Sequence, residues 1–356
     1  MPEGVFSGCK PSDGPQEVFR VNPAAGYASW DLVSSTGVST LAFSIDEHPF
    51  YVYAIDGRYV KPTKADALTI INGQRYSIMV KLDKPANKTY AIRSVVSGLN
   101  QILNATAILA YEPSIPPGKN KPYPYPTSTP YITVSGFNAT ADTIMFNESF
   151  ATPFPPVAPA AEADDLYVLN IGRYNSSYRW LLNNGSMPQS LEVARPPLLF
   201  ENPNIYNESS KKGVYNNGDH LTIHTLNNTW VDLILAVEAG LQPPHPFHKH
   251  SNKFFVLGSG QGSWTWASVT DAMKEIPENF NFVDPPIRDT YATIVAANPL
   301  VSGSWVALRY QVVNPGAFLL HCHIQTHLSG GMALALLDGV DEWPHVPETY
   351  LNGNGF

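Results

Sequence analysis

The sequence predicts an all-β chain built as two sandwich domains of the same kind. Three observations carry this. Short runs rich in Val, Ile, Tyr and Phe recur along the chain and are bounded by turn dipeptides such as Asp56-Gly57 and Asn72-Gly73. Gly and Pro are frequent, 25 and 32 of 356 residues, as many short strands joined by turns require. A stretch with Pro at 113, 116, 117, 122, 124, 126 and 130 cannot pair inside a sheet and reads as a semi-rigid linker. The predicted organisation is a β domain over 1–112, a linker over 113–130 and a second β domain over 131–356.

In the first domain the β-rich runs are 51–55, 76–80, 90–96 and 105–111. In the second they are 166–171, 221–226, 230–237, 254–257, 290–295, 306–312 and 318–324, with a short helix over 271–275. Hydrophobic content of 44% is ample for two cores. Only 15% of residues are charged and the net charge is −8, against nucleic-acid binding, which needs clustered Lys and Arg. No apolar run is long enough to span a bilayer.

Chemistry concentrates near the C-terminus. His321, Cys322, His323, His327 and Met332 fall within twelve residues, and His245, His248 and His250 fall within six. Thiolate and thioether beside imidazole select copper, and two His, one Cys and a weak axial Met make a blue-copper site. Cys322, His327 and Met332 offer three of those ligands, and His245 is the candidate fourth. A buried Cys is usually an inert small hydrophobe, but six of ten histidines falling in these two short segments argues against that reading. Zinc also takes Cys and His, yet a structural zinc site favours paired Cys and gains nothing from Met332.

Strand parity separates two groups. Successive side chains alternate faces, so Cys322 points away from His321 and His323. His248 and His250 share a parity and His245 has the other, although Pro246 weakens regularity there. The pattern places His245, Cys322, His327 and Met332 in one site and His248, His250, His321 and His323 in a second behind it.

These motifs, His245-Pro-Phe-His-Lys-His and His321-Cys-His-Ile-Gln-Thr-His with Met332, resemble the C-terminal copper motifs of the multicopper oxidases, the family of laccases, ascorbate oxidases and ferroxidases. Arg288-Asp289-Thr290 and Asn314-Pro315-Gly316-Ala317-Phe318 extend the match. Leu32-Val33-Ser34-Ser35, Ala54-Ile55-Asp56-Gly57 and Gly73-Gln74-Arg75-Tyr76 look like the family's middle domain. The resemblance implies two cupredoxin-like Greek-key sandwiches, the first without copper ligands. It implies that His245, Cys322 and His327 hold the type 1 copper and receive the electron, with Met332 axial. His248, His250, His321 and His323 match ligands of the type 2 and type 3 coppers, and His321 and His323 carry the electron onward. The implied reaction is one-electron oxidation of a small reducing phenol or diol, with dioxygen reduced to water. An axial Met implies a potential in the lower part of the family's range.

The family also carries two further His-x-His pairs in an N-terminal domain. Here none precedes His245, and His48, His220, His224 and His345 fit no motif. Half the cluster ligands are therefore expected from a missing domain or a partner chain. Eight Asn-x-Ser/Thr sequons, at Asn87, Asn104, Asn138, Asn147, Asn175, Asn184, Asn207 and Asn227, suggest a secreted glycoprotein. Residues 1–20 lack a signal-peptide core, and Cys9 has no partner. Together these features predict a truncated form of a longer oxidase.

A ferroxidase remains the close alternative, although no acid nearer than Glu238 precedes His245. A mononuclear blue-copper carrier and a copper-free binding sandwich are the others. Glu238 and Asp289 are candidate carboxylates for orienting metal-bound His, with ordinary packing expected for Asp289. Gly258-Ser-Gly-Gln-Gly-Ser lacks the Lys of a phosphate loop, and Trp264 and Trp266 read as packing residues.

Overall fold

The computed structural model describes residues 14–85, 88–97, 104–112, 123, 125–174, 178–187, 213–215, 221–345 and 347–351. Its contacts divide the chain into two units, Met1–Pro155 and Pro156–Phe356.

The first unit holds β1 (Val18–Val21), β2 (Tyr27–Val33), β3 (Leu41–Ile45), β4 (Phe50–Ile55), β5 (Arg58–Ala65), β6 (Ala67–Ile70), β7 (Arg75–Lys81), β8 (Thr89–Val96) and β9 (Asn104–Tyr111). They form a five-stranded sheet, β1-β9-β8-β3-β6, and a four-stranded sheet, β2-β7-β4-β5. Alternation drives the packing: Tyr76, Ile78 and Val80 of β7 turn inward to meet Phe50, Val52 and Leu109. Each such buried side chain contributes about 1.5–3 kcal/mol. The predicted Asp56-Gly57 turn closes the β4–β5 hairpin with both residues at positive φ, 48° and 75°.

The second unit holds β10 (Asp165–Arg173), β11 (Trp180–Leu182), β12 (Gly213–Tyr215), β13 (Thr222–His224), β14 (Trp230–Val237), β15 (Pro246–Lys249), β16 (Phe254–Gln261), β17 (Ile287–Arg288), β18 (Thr290–Ala292), β19 (Ser304–Gln311), β20 (Gly316–Cys322) and β21 (Ala333–Asp338). Two six-stranded sheets result, β11-β10-β14-β19-β16-β17 and β12-β13-β21-β20-β15-β18. Helix α1 is Val269–Glu275, near the predicted 271–275, and α2 is Gln325–Ser329. One core joins Leu169, Leu233, Leu308, Phe247, Leu334 and Cys322. Among the described residues no helix is long and apolar enough to cross a membrane.

Three expectations need correction. The contact boundary lies at Pro155–Pro156 and not at 131. The intervening segment satisfies open strand edges, through bridges Ala67↔Met145 and Val60↔Pro153. The described part of the proposed linker is also fastened to the first unit. Ser128 Oγ donates to Asp46 and accepts from the Ala91 amide, and Asp46 takes a two-point contact from Arg93. Finally, the strand expected over 318–324 ends at Cys322, so His323 leaves from beyond its end.

Candidate metal centres

Strand β15 lies between β20 and β18, and its register does the sorting. Phe247 faces Cys322 across the ladder, His248 faces His321, and Lys249 faces Leu320. Neighbouring rungs point to opposite faces. Phe247 and Cys322 therefore enter the core, while His248 and His321 leave on the other side. Pro246 begins the strand, where its missing N–H is tolerated. Just before it, the His245 amide donates to Thr293 Oγ1 at 2.9 Å and its carbonyl accepts from the Thr293 amide at 2.9 Å.

His245, Cys322 and His327 are buried and converge. The two Nδ1 atoms are 3.1 Å apart, and Cys322 Sγ lies 3.8 Å from His245 Nδ1 and 3.6 Å from His327 Nδ1. A point equidistant from the three atoms lies about 2.0 Å from each, the length of a first-row metal–imidazole bond. The donor set and its spacing therefore fit a copper ion. Met332, fully buried, belongs to the same core as Cys322. Its amide donates to the His327 carbonyl and its own carbonyl accepts from the Cys322 amide, both at 3.0 Å.

Local chemistry fixes the ligand atoms. Gln242 Nε2 donates to the Glu238 carbonyl at 3.1 Å, which turns Gln242 Oε1 toward His245 Nε2, also at 3.1 Å. That oxygen can only accept, so His245 carries its proton on Nε2 and keeps the Nδ1 lone pair for the pocket. Burial, then the positive charges of His327 and Arg173, push His245 down to about 3. Burial and Arg173 push His327 down to about 4. Both rings are thus neutral and able to ligate. Burial pushes the Cys322 thiol up to about 12, so a metal has to displace its proton.

The second group is also brought together. Ring centroids of His248 lie 5.1, 5.6 and 6.0 Å from those of His250, His321 and His323. His321 lies 5.4 Å from His250 and 5.6 Å from His323. His321 Nδ1 donates to the Cys322 carbonyl at 3.0 Å, leaving Nε2 free, and burial pushes this ring down to about 4. His248 Nδ1 lies 3.0 Å from the Asp289 carbonyl and 2.9 Å from Thr290 Oγ1, with Asp289 Oδ1 at 3.6 Å. Asp289, expected to be an ordinary packing residue, therefore borders a candidate ligand. The reason is β18, which pairs His248 with Thr290.

The remaining histidines stay outside. His48 is a satisfied core residue, bonded to the Asp46 carbonyl and Tyr111 OH. His224 is buried in β13, and His345 is exposed. His220 and Cys9 lie outside the described residues. Trp264 and Trp266 pack around Trp305, as expected.

Sequence reasoning missed the layer over the cysteine centre. Trp180 of β11 lies on His327 with ring centroids 4.0 Å apart and meets His245 edge-on at 5.2 Å. Gly330 and Gly331 permit this approach. A Cβ on Gly330 would strike Trp180 and the Tyr178 carbonyl, and Gly331, at φ +98°, packs on Ser186 and Met187. The Trp180 amide donates to the Gly330 carbonyl at 2.9 Å. The adjacent Gly pair after His327 was the available signal.

Comparison with known proteins agrees with this arrangement. One multicopper oxidase model matches residues 189–342 and another matches residues 4–114. The chain is 42% identical over 351 residues to laccase abr2 of Aspergillus fumigatus, covering 97% of this chain and 56% of that protein. It is 40% identical to multicopper oxidase VdtB of Byssochlamys spectabilis, covering 100% of this chain and 51% of that one. It thus spans about half the length of these curated relatives. The fold matches a laccase from Botrytis aclada (TM-score 0.71, 24% identity, 94% of this chain and 56% of that one). It also matches Fet3p, a multicopper oxidase that functions in iron import (TM-score 0.68, 21% identity, 95% and 61%). Two family models and a buried His–Cys–His set of copper-binding dimensions lead to one conclusion: the chain belongs to the multicopper oxidase family.

Proposed function

We propose that this chain forms the electron-accepting half of a laccase-like oxidase that oxidises small phenol- or diol-type donors and passes electrons toward dioxygen. The convergence of His245, Cys322 and His327 carries this reading. Copper, when bound there, supplies a one-electron acceptor. The residues do the rest. Gln242 holds the His245 ring, the Met332 backbone fastens the loop carrying His327, and the core around Cys322 excludes water. Cys322 is bonded through the backbone to His321 and His323, so a short covalent path joins the two groups.

His248, His250, His321 and His323 are the proposed share of a type 2 and type 3 cluster. The other imidazoles of such a cluster would come from another domain or a partner chain. A ferroxidase is not favoured: the positive charge of Arg173 reaches both His245 and His327, which disfavours a ferrous ion beside them. Secretion and glycosylation are part of the proposal. Among described acceptors, Asn104, Asn138, Asn147 and Asn184 are exposed and Asn227 is half-buried, which supports it.

The test is copper loading of the purified chain. An intense blue band with about one copper per chain is expected for a closed mononuclear site, with little dioxygen consumption by the chain alone. Cys322→Ser should remove the band. A colourless loaded chain, or about four coppers per chain, would refute this reading.

A further inference from the structure

The hairpin of β10 and β11 stands between the buried imidazoles and solvent. Arg173 and Trp180 are direct partners across that hairpin, so both side chains leave the same face. The Arg173 guanidinium lies 5.2 Å from the Trp180 ring centroid, and Trp180 in turn lies on His327. Arg179 holds its guanidinium 4.8 Å over the Tyr174 ring, and the Tyr174 amide donates to the Arg179 carbonyl at 3.0 Å. Arg173, Tyr174 and Arg179 are all exposed.

Among the described residues the Arg173 charge has no carboxylate partner. Arg173 donates Nη2 to the Leu241 carbonyl, which anchors the side chain and leaves its charge intact. Neither guanidinium makes an ion pair among the described residues. The carboxylate of Glu238 lies over Gly172, whose side-chain direction is opposite to that of Arg173. A guanidinium held beside an aromatic face is suited to a planar anion, because it offers both a stacking surface and forked donors.

We propose that Arg173, backed by the buried Trp180, forms a platform for aromatic anions and makes the cysteine centre selective for aromatic donors bearing a carboxylate. This deepens the oxidase reading and rests on it. Cationic aromatic amines would be disfavoured at the same surface by like charge.

The test uses the copper-loaded chain and two redox-inert probes of similar shape, 4-nitrobenzoate and the neutral 4-nitrobenzamide. Binding is read from broadening of probe resonances by the cupric centre and from saturation transfer on the same sample. The carboxylate should bind about fivefold more tightly at low salt, the upper end of what one solvent-exposed ion pair contributes. The preference should shrink as ionic strength rises. Arg173→Gln should abolish most of it and Arg173→Lys should retain much of it. Lys274→Gln in α1 should change nothing. Equal binding of the two probes, or a preference surviving Arg173→Gln, overturns the proposal. Failure to take up copper refutes the oxidase reading instead, and saturation transfer still reports the probe preference.

Discussion

Lys249 points its ammonium at Asp338, with Nζ 3.3 Å from Oδ2 and neither side chain exposed. This residue separates His248 from His250 in sequence but faces the opposite way, into the core. Asp338 also accepts from Thr225 Oγ1 at 3.0 Å and Tyr310 OH at 2.8 Å, and the ammonium lies 4.0 Å over the Tyr310 ring. Burial holds Lys249 below its usual range, opposed by Asp338. The pair therefore clamps β15 to β21 from beneath the imidazoles.

Removing one partner leaves a buried charge. Lys249→Met should cost about 3–5 kcal/mol, read by denaturant unfolding. Adding Asp338→Asn should recover a substantial part of that loss. Additive losses in the double variant would show that the two side chains do not act as a pair.

Gly331→Ala should destabilise the loop behind His327. Its φ of +98° is unfavourable for a side chain, and the new Cβ would press on Ser186 Oγ and the Met187 backbone. We expect a loss of about 1–3 kcal/mol in thermal unfolding, with a weakened blue band after copper loading. Wild-type stability and colour would contradict the packing described.

Gln242→Leu removes the acceptor that holds His245 Nε2. Copper should still bind, about 10–100-fold more weakly, measured by competition with a chelator. Unchanged affinity would mean the ring is held by packing alone.

The metal-free chain should lose stability in mild acid. His245, His321 and His327 sit at about 3, 4 and 4, below the ordinary 6.5, so the unfolded chain binds more protons in between. The stability tied to their neutral forms is present above pH ~6.5 and is lost as pH falls toward 4 and then 3. Unfolding midpoints measured across this range should fall, and His327→Gln should flatten the slope. Copper uptake should release the Cys322 proton and weaken as pH drops.

Much of the centre was legible in the sequence because its chemistry is local. Cys322, His327 and Met332 lie close together in the chain, and alternation along β20 sorted Cys322 from His321 without coordinates. Strand β7 was equally plain, since Tyr76, Ile78 and Val80 alternate with exposed or half-buried residues. Strand β21 was missed because all six of its residues are buried and show no period. Trp180, Arg173 and Asp338 were missed as a surrounding set because each reaches this region through long-range contacts that spacing does not encode, whereas Gln242 acts only three residues from His245 but in irregular backbone with no periodic pattern. The boundary fell late because residues 131–155 serve the edges of β5 and β6, a tertiary demand that composition does not report.

The pairing of Phe247 with Cys322 and of His248 with His321 has an evolutionary consequence. A one-residue slip of β20 against β15 would not damage one centre and spare the other; it would trade their contents, sending sulfur among the imidazoles and an imidazole into the apolar interior. A single insertion or deletion here would therefore disturb both ligand sets at once, so neither can be altered in register without the other.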